Sequence, residues 1–490
     1  MPAESVSAVL HITAAVGGGV DRYVRDLAAN TPRPHLVLHV GSGIDVLEDI
    51  GAGRFLPLRD FAGADTDPAG LARWLHSAGI GLAHLHGVDE GCRARLDALL
   101  RARLLPYVVT LHDLQFVNPR AFELPGMPDP DPGWIAGVGP ILERAATVVA
   151  PSAFILDVAL ACAPGICATV IAPGIRIAQT TEIPETPPDF AQHAPRHVIA
   201  VVGAIGPHKG SGVLDRLAAA LVGSEIAIVV IGYLDTQLTR RWLVPGSVYV
   251  HGPYRDDALA GWLAAYRAET VLFPNRLPES FSYTLSEVWA AGLPVVVPDH
   301  GALGERVARH DGGWCLAPGF DSDEAAALLV WLSSAEGAAE HTRVKSRISP
   351  GDPLRIPTLE AMSRDVDALY ARFALPPSDS TDADAARDAL APLLAANLDG
   401  FAFRKELVKL AGELEQARER LAEAQQWSEN LERDGAAWAA KLETDIAALK
   451  SEIERLAADN RSLAQYKAVF DRFPQVVRTY LFKRALRARG

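Results

Sequence analysis

Residues 269–299 read ETVLFPNRLPESFSYTLSEVWAAGLPVVVPD, in which two apolar runs flank one amphipathic stretch. Apolar runs separated by a segment long enough for a helix are typical of neighbouring parallel strands that are buried on both faces. The same alternation begins near residue 6, continues to about residue 177, and begins again at residue 197. The sequence therefore predicts an α/β protein of two doubly wound, Rossmann-like halves, with a ligand cleft at the carboxyl ends of the strands.

The pattern of apolar runs, prolines and charges also predicts where each part of the chain begins and ends. The predicted parts are a first Rossmann-like domain at 1–180, a linker at 181–197, a second Rossmann-like domain at 198–357, a closing helix at 358–375, a joint at 376–400, a coiled coil at 401–473 and a basic tail at 474–490. The linker and the joint are assigned from prolines and small polar residues, which interrupt the helix and strand periodicities.

Composition excludes several classes of protein. The 490 residues carry a formal net charge of −13, which disfavours general nucleic-acid binding because a phosphate-binding surface must supply many cations. No uncharged apolar run reaches the length of about 18 residues that suits a transmembrane helix, and the first residues lack the basic segment of a secretory signal. The four cysteines form no CxxC pair, which predicts free thiols in a reducing compartment and no zinc site. The expected location is the cytoplasm.

The C-terminal segment has a different pattern. Between Leu407 and Leu463, apolar residues recur at steps of three and four, the spacing of a coiled coil that would join copies of the chain into a homo-oligomer. A single long surface helix is the alternative, but it would leave the apolar seam in water. After Pro474 the chain holds five basic residues and no acidic one. This tail is interpreted either as an amphipathic helix on the anionic inner face of the cell membrane or as a solvated basic end.

Residues that could carry chemistry are concentrated between the two apolar runs of residues 269–299. Glu279 lies in the loop after the first run, and Glu287 lies about one and a half turns into the helix. Two carboxylates so placed could accept hydrogen bonds from sugar hydroxyls at either end of a bound diphosphate. The backbone amides that would be free to bind that diphosphate at the helix start are those of Phe281, Ser282, Tyr283 and Thr284. The alternative is that both glutamates are surface residues of an amphipathic helix.

This segment resembles the donor-binding motif of retaining glycosyltransferases of the GT-B fold, specifically the family 4 group (glycosyl transferase group 1). In that family the pattern Ala-x-Gly-x-Pro-Val-Val follows an acidic residue, small residues, a helix and a second acidic residue. The same order occurs here before Val297. Three more segments are similar to motifs of the family: VGAIGPHKG at 202–210, GGGVDRY at 17–23 and TLHD at 110–113. The resemblance covers roughly residues 6–375 with the motifs in the right order, which makes it more specific than any single motif.

The resemblance implies a role for each matched residue. The implied roles are ribose binding for Glu287, contact with donor-sugar hydroxyls for Glu279, neutralisation of the leaving diphosphate for Lys209, contact with the transferred sugar for His112, and close backbone approach to the diphosphate for Gly17, Gly18 and Gly19. One position departs from the family pattern, because Ala204 stands where the family has an arginine. Either Arg276 or His208 would supply the missing cation, and Arg276 is favoured because it precedes Glu279 in the same loop.

The function implied by the resemblance is the transfer of a sugar from a nucleotide diphosphate sugar, with retention, to a bacterial surface glycan such as lipopolysaccharide or to its lipid-linked precursor. No cofactor and no metal are expected. Asp129 and Asp131 resemble a metal-binding pair but lie in a proline-rich loop. For His84 and His86, the sequence indicates no third metal ligand. Two alternatives stay open: a non-catalytic coiled-coil assembly protein, favoured by Ala204, and another GT-B enzyme such as a glycan synthase or a nucleotide-sugar epimerase.

Overall fold

The computed structural model describes residues 7–13, 18–39, 46–51, 54–57, 79–88, 105–123, 126–177, 182–193, 195–235, 237–349, 352, 355–376 and 446–461. The chain divides into two compact units. One unit contains residues 1–53 and 58–386, and the other contains residues 54–57 and 387–490. Both Rossmann-like halves lie in the first unit, so the cleft between them belongs to one compact body.

The first half forms a mostly parallel sheet around a central strand that begins at Ala8. Its strands are β1 (Ala8–Thr13), β2 (His35–His39), β3 (Val46–Asp49), β5 (Ile80–His86), β6 (Tyr107–Thr110), β7 (Thr147–Ala150) and β8 (Ala168–Val170), with β4 (Arg54–Pro57) grouped in the second unit. The order across the first unit is β3-β2-β1-β5-β6-β7-β8, and only β3 runs antiparallel to its neighbour. The helices of this half are α1 (Gly18–Asn30), α2 (Pro132–Arg144) and α3 (Ala153–Cys162).

The second half repeats this architecture. Its strands are β9 (His197–Ile205), β10 (Ile226–Leu234), β11 (Arg241–Val244), β12 (Val248–Gly252), β13 (Thr270–Leu272), β14 (Val295–Pro298) and β15 (Gly313–Leu316), in the order β11-β12-β10-β9-β13-β14-β15. Its helices are α4 (Pro188–Ala191), α5 (Ser211–Ala220), α6 (Leu259–Ala265), α7 (Tyr283–Ala290), α8 (Gly301–His310), α9 (Ser322–Leu332) and α10 (Ala335–Ser346). The prediction of two mostly parallel sheets is confirmed.

The closing helix returns the chain to the first half. This helix, α11 (Leu359–Phe373), begins after Thr358, whose hydroxyl accepts a hydrogen bond from the Ala361 amide at 3.2 Å. Its apolar residues, spaced three and four apart, pack with strand and helix residues of the first half into one core. The core members are Leu359, Met362, Val366 and Tyr370 of the helix, and Val9, Tyr23, Leu27 and Leu82 among others of the first half. Each large buried side chain contributes roughly 1.5–3 kcal/mol, so the closing helix is an integral part of the first half.

Two short antiparallel strands were not predicted. β3 pairs antiparallel with β2, and β11 pairs antiparallel with β12. A tight turn makes the second of these hairpins: the Ser247 amide donates to the Val244 carbonyl at 2.9 Å, and Gly246 has a φ of 76° that favours glycine. The predicted linker contains the short helix α4, and its Phe190 stacks on Trp242 of β11 at 5.4 Å. Sequence periodicity missed these elements because each has only four residues.

Most of the C-terminal predictions concern residues outside the described ranges, namely 377–445 and 462–490. Residues 446–461 form one helix, in which Leu456 is buried while Ile446, Leu449 and Ile453 are half-buried. These four residues share one face at the spacing that predicted a coiled coil. Among the described helices, none combines the length and the apolar character needed to cross a membrane.

Candidate active site

A cavity of about 660 Å³ lies where the carboxyl ends of strands from both halves meet. From the first half, Gly18, Gly19 and Arg22 border it from the start of α1, and His112 borders it two residues after β6. The residues that line it from the second half include Ala204, His208, Lys209, Asn275, Glu279, Phe281, Ser282, Tyr283, Thr284 and Glu287. Ligands bind doubly wound sheets at such strand ends. The structure therefore brings together nearly all residues that the sequence singled out.

The loop before α7 is held in a strained conformation at Ser282. This residue has φ 71° and ψ 98°, a region that non-glycine residues rarely adopt, and its hydroxyl caps α7 by accepting from the Leu285 amide at 3.3 Å. A residue in such a region costs about 1 to 3 kcal/mol and persists only where its surroundings hold it. The first-turn amides of α7, at Tyr283 and Thr284, lack partners within the helix and belong to residues that line the cavity.

Arg306 of α8 is hydrogen-bonded to the backbone of this loop. Its guanidinium donates to the Phe281 and Ser282 carbonyls, both at 3.0 Å, and to the Ser286 hydroxyl at 2.7 Å. The group also lies over the Phe281 ring at 4.2 Å. Burial lowers the pKa of Arg306 to about 9, so the charged form is retained at neutral pH. Arg306 compensates for the strain at Ser282 because the hydrogen bonds that a charged donor makes to carbonyl oxygens are stronger than those of a neutral donor.

Lys209 and Glu279 face each other at the floor of the cavity. Lys209 Nζ lies 3.7 Å from Glu279 Oε1, and the Asn275 amide donates to the same carboxylate oxygen at 2.8 Å. Gly210 brings the lysine turn this close. It has a φ of 84°, and a Cβ there would lie 2.0 Å from the Pro274 carbonyl oxygen. A positive side chain, a carboxylate and an amide thus converge in one part of the cavity.

Glu287 is engaged across the cleft by the first half. Arg22 Nη1 donates to Glu287 Oε1 at 2.7 Å, and the same guanidinium lies 4.8 Å from the centre of the Tyr283 ring. Both partners are partly exposed, with 28% and 19% of their side-chain surfaces accessible. The predicted ribose carboxylate therefore has a cationic partner that a ligand hydroxyl would have to replace.

His112 joins the cavity to the interior of the first half. The Nε2 atom of His112 lies 3.0 Å from His86 Nδ1. The backbone carbonyl oxygen of His112 accepts a hydrogen bond from the Ser280 hydroxyl of the second half. Burial lowers the pKa of His112 to about 3. At neutral pH the imidazole is therefore uncharged, and it can offer a ligand one hydrogen-bond donor or one acceptor.

The structure places one of the predicted residues, Arg276, apart from this set. Gly17 lies outside the described residues. Arg276 donates to the Phe320 carbonyl at 2.7 Å and lies 4.8 Å from the centre of that ring, and it is not among the residues that line the cavity. His208, the other suggested replacement for the arginine absent at Ala204, does line it. The role of Arg276 at the leaving group stays a prediction.

Sequence reasoning missed Arg22, Asn275 and Arg306. Arg22 lies within a motif that the sequence indicated, GGGVDRY, but no pattern shows that it reaches Glu287, 265 residues away. His11 was also missed as the third histidine beside His84 and His86; ring nitrogens of these three lie within 4.8 Å of one another. Asp131, by contrast, has a local role, since its carboxylate caps α2 by accepting from the Trp134 amide at 3.0 Å.

Comparison with known families identifies the second half. Residues 196–334 match the family model described as "Glycosyl transferases group 1", and this segment contains Lys209, Glu279 and Glu287. The second half is therefore a glycosyltransferase group 1 domain.

Two curated relatives are similar over part of the chain. A GDP-mannose-dependent alpha-mannosyltransferase of Mycolicibacterium smegmatis is 30% identical over 158 residues, which are 32% of this chain and 40% of that protein. The protein of the same name from Mycobacterium tuberculosis is 25% identical over 122 residues, which are 25% of this chain and 30% of that protein. The matched segments thus span well under half the length of these relatives.

Solved structures share the fold over a longer range. The Anabaena protein HepE, solved in complex with UDP and glucose, superposes with a TM-score of 0.55 at 18% identity, over 75% of this chain and 100% of that one. A glycosyltransferase from Rickettsia africae superposes with a TM-score of 0.52 at 14% identity, over 75% and 98% of the two chains. At these identities the likeness establishes the two-sheet, GT-B type fold.

Proposed function

We propose that this protein is a glycosyltransferase that moves a sugar from a nucleotide diphosphate sugar to an acceptor hydroxyl, with retention of anomeric configuration. The observation that carries the proposal is the convergence of Lys209 and Glu279 at 3.7 Å beside the start of α7, in a cavity to which both halves contribute. Breaking the bond between the sugar and the diphosphate places negative charge on the leaving phosphate. Prepositioned donors at that point contribute most to such a step.

Each group of the cavity has a place in this reaction. The first-turn amides of α7 and the Lys209 ammonium stabilise the leaving diphosphate. Glu287 accepts hydrogen bonds from the ribose hydroxyls once Arg22 has been displaced. Glu279, positioned by Asn275, accepts hydrogen bonds from hydroxyls of the transferred sugar. Because protein groups supply the positive charge, transfer on this account needs no metal ion and no cofactor.

The relatives and the resemblance support a choice of donor and acceptor classes. Two relatives are named for GDP-mannose, and HepE was solved with UDP and glucose. We therefore place GDP-mannose and UDP-glucose first among donors, and a bacterial surface glycan or its lipid-linked precursor as the acceptor class. The apolar face of the helix at 446–461 supports self-association through a coiled coil, and the basic tail offers a contact for an anionic membrane.

The experiment is a donor panel with the purified full chain. Release of nucleoside diphosphate is measured from GDP-mannose, UDP-glucose, UDP-N-acetylglucosamine and dTDP-rhamnose, and the anomeric configuration of any product is read by NMR. Glu279→Gln and Lys209→Ala should each lower kcat about 100- to 1,000-fold, the scale of one lost transition-state contact.

Matched controls are Glu185→Gln and Lys345→Ala, which change exposed residues away from the cavity and should leave turnover and thermal melting unchanged. Full turnover in both cavity variants would refute the site. A folded chain that releases no nucleoside diphosphate from any donor would instead favour the non-catalytic assembly protein.

A further inference from the structure

The interior of the first half contains a set of histidines on neighbouring parallel strands. His11 of β1 is in register with His84 of β5, while His35 begins β2 and His86 ends β5. The exposed fractions of His11, His35, His84 and His86 are 0%, 5%, 0% and 6%. Buried polar groups of this kind are stable only when they are hydrogen-bonded.

Three of these imidazoles, the imidazole of His112 and one hydroxyl form a continuous row, Thr31–His35–His11–His86–His112, here called the histidine row. The distances along it are 2.5 Å from Thr31 Oγ1 to His35 Nε2, 2.8 Å from His35 Nδ1 to His11 Nε2, 2.8 Å from His11 Nδ1 to His86 Nε2 and 3.0 Å from His86 Nδ1 to His112 Nε2. The row therefore leads from the end of α1 to the cavity.

The imidazoles of the row are neutral at neutral pH. Burial lowers the pKa of His11 and His86 well below its ordinary value, lowers that of His35 to about 4, and lowers that of His112 to about 3. A neutral imidazole has one N–H donor and one bare nitrogen that accepts. Each histidine in the row must therefore donate to one neighbour and accept from the other, so one fixed bond determines the direction of all.

Thr31 supplies that fixed bond. Its hydroxyl oxygen lies 2.9 Å from the Leu27 carbonyl oxygen, which can only accept, so the hydroxyl hydrogen is donated there. Toward His35 the same oxygen must then accept, and His35 carries its hydrogen on Nε2. His35 Nδ1 is bare and accepts from His11 Nε2–H, and the same step repeats at His86. At the far end, His112 carries its hydrogen on Nε2.

We propose that Thr31, His35, His11 and His86 are positioning residues that fix His112 as its Nε2–H tautomer, so that its bare Nδ1 accepts a hydrogen bond from a hydroxyl of the bound sugar. His112 lines the cavity, and its bond to His86 uses Nε2, which leaves Nδ1 as the ring nitrogen for a ligand. In the Nδ1–H tautomer this nitrogen would be a donor, so it could not accept the hydrogen of a sugar hydroxyl. The catalytic part of this inference rests on the proposed function; the tautomer itself does not.

A metal ion held by His11, His84 and His86 is the competing interpretation, because their ring nitrogens lie within 4.8 Å of one another. The hydrogen bonds argue against it. His84 already has both nitrogens occupied, by the Tyr370 hydroxyl at 2.6 Å and the Thr110 hydroxyl at 2.7 Å. His11 and His86 each bond two neighbours in the row. Metal binding would break these bonds.

The test is a 15N–1H NMR spectrum of the full chain labelled with 15N-histidine, since the shifts of the two ring nitrogens distinguish the tautomers. The His112 signal is assigned by its loss in His112→Phe. In the wild-type protein we expect His112 as the Nε2–H tautomer. Thr31→Val removes the hydroxyl that fixes the direction of the row, and it should add a second His112 signal with hydrogen on Nδ1. Thr31→Ser keeps the hydroxyl and should restore the wild-type spectrum.

Turnover of a donor accepted by the wild-type protein provides the functional readout. Thr31→Val should lower kcat about twofold, because the native direction falls to roughly half of the population when one ordinary hydrogen bond no longer favours it. Thr31→Ser should recover it.

A wild-type His112 protonated on Nδ1 would overturn the proposal, and this result needs no variant to fold. Stoichiometric zinc in the purified protein, with a histidine spectrum that changes on chelation, would favour the metal site. Correct tautomers with no donor turnover at all would refute the proposed function while leaving the tautomer assignment intact.

Discussion

The two halves share one architecture but differ in what surrounds their central strands. In the first half, His11 on the central strand β1 meets other buried imidazoles. In the second half, the central strand β9 contributes residues such as Ile199 and Val201 to a purely apolar cluster. The central strand of the second half is therefore surrounded by apolar groups, whereas that of the first half adds a hydrogen-bonded set of imidazoles to its apolar core.

This difference decides how far the site residues of each half can be predicted from the sequence. Most predicted donor-binding residues of the second half lie on one strand–loop–helix segment, and Lys209 lies in a second short motif after β9, so two short stretches of sequence contain them. The first half assembles its site from residues of four separate segments, which only strand register brings together. A sequence motif can reveal the site of the second half, whereas only the fold reveals the site of the first half.

The largest predicted effect is an acid sensitivity that comes from the first half. Burial holds the pKa of His35 at about 4 and those of His11, His84 and His86 well below the ordinary value of 6.5. Below about pH 6.5 the unfolded chain binds protons that the folded chain refuses, so stability is lost as the pH falls toward 4. Each of these four histidines can contribute up to about 1.4 kcal/mol per pH unit to the slope, which is measured by urea unfolding.

Variants assign this slope to the buried histidines. His35→Gln should reduce it by about 1.4 kcal/mol per pH unit, whereas His193→Gln, at an exposed position, should leave it unchanged. A free energy of unfolding that is the same at pH 7 and pH 5 would contradict the neutral, buried state of the row.

A smaller effect is expected behind the motif of the second half. Arg306→Met keeps much of the apolar stem but leaves the Phe281 and Ser282 carbonyls without their donor. We expect a loss of about 2 to 3 kcal/mol in urea unfolding together with weaker nucleotide binding, because the strained loop relaxes. Arg309→Met, at an exposed position on the same helix, is the control. Unchanged stability and affinity in Arg306→Met would show that the loop is held by something else.

The smallest effect concerns the pair that joins the halves. Arg22→Gln frees Glu287 for ribose hydroxyls, so GDP or UDP should bind about two- to fivefold tighter by calorimetry, the scale of a partly exposed ion pair. Arg196→Gln removes a more exposed arginine–glutamate pair and should not change affinity. Weaker binding in Arg22→Gln would mean that the guanidinium contacts the nucleotide itself.

Sequence periodicity predicted the two sheets because their central strands are long and apolar. It missed β11 because this strand is short and half exposed. Its pairing with β12 depends on the turn at Gly246. The resemblance indicated Glu279, Lys209 and Glu287, which the fold brings to one cavity. It could not show the partner of Glu287 or the side chain direction of Arg276, because both depend on contacts between residues far apart in the chain.

The most direct test of the central claim is a crystal structure of the full chain with GDP or UDP. The account predicts the diphosphate about 3 Å from Lys209 Nζ and from the first-turn amides of α7, the ribose hydroxyls on Glu287, and Arg22 displaced from that carboxylate. A nucleotide bound outside the cavity, or an intact pair between Arg22 and Glu287 beside an empty cavity at saturating nucleotide, would contradict it.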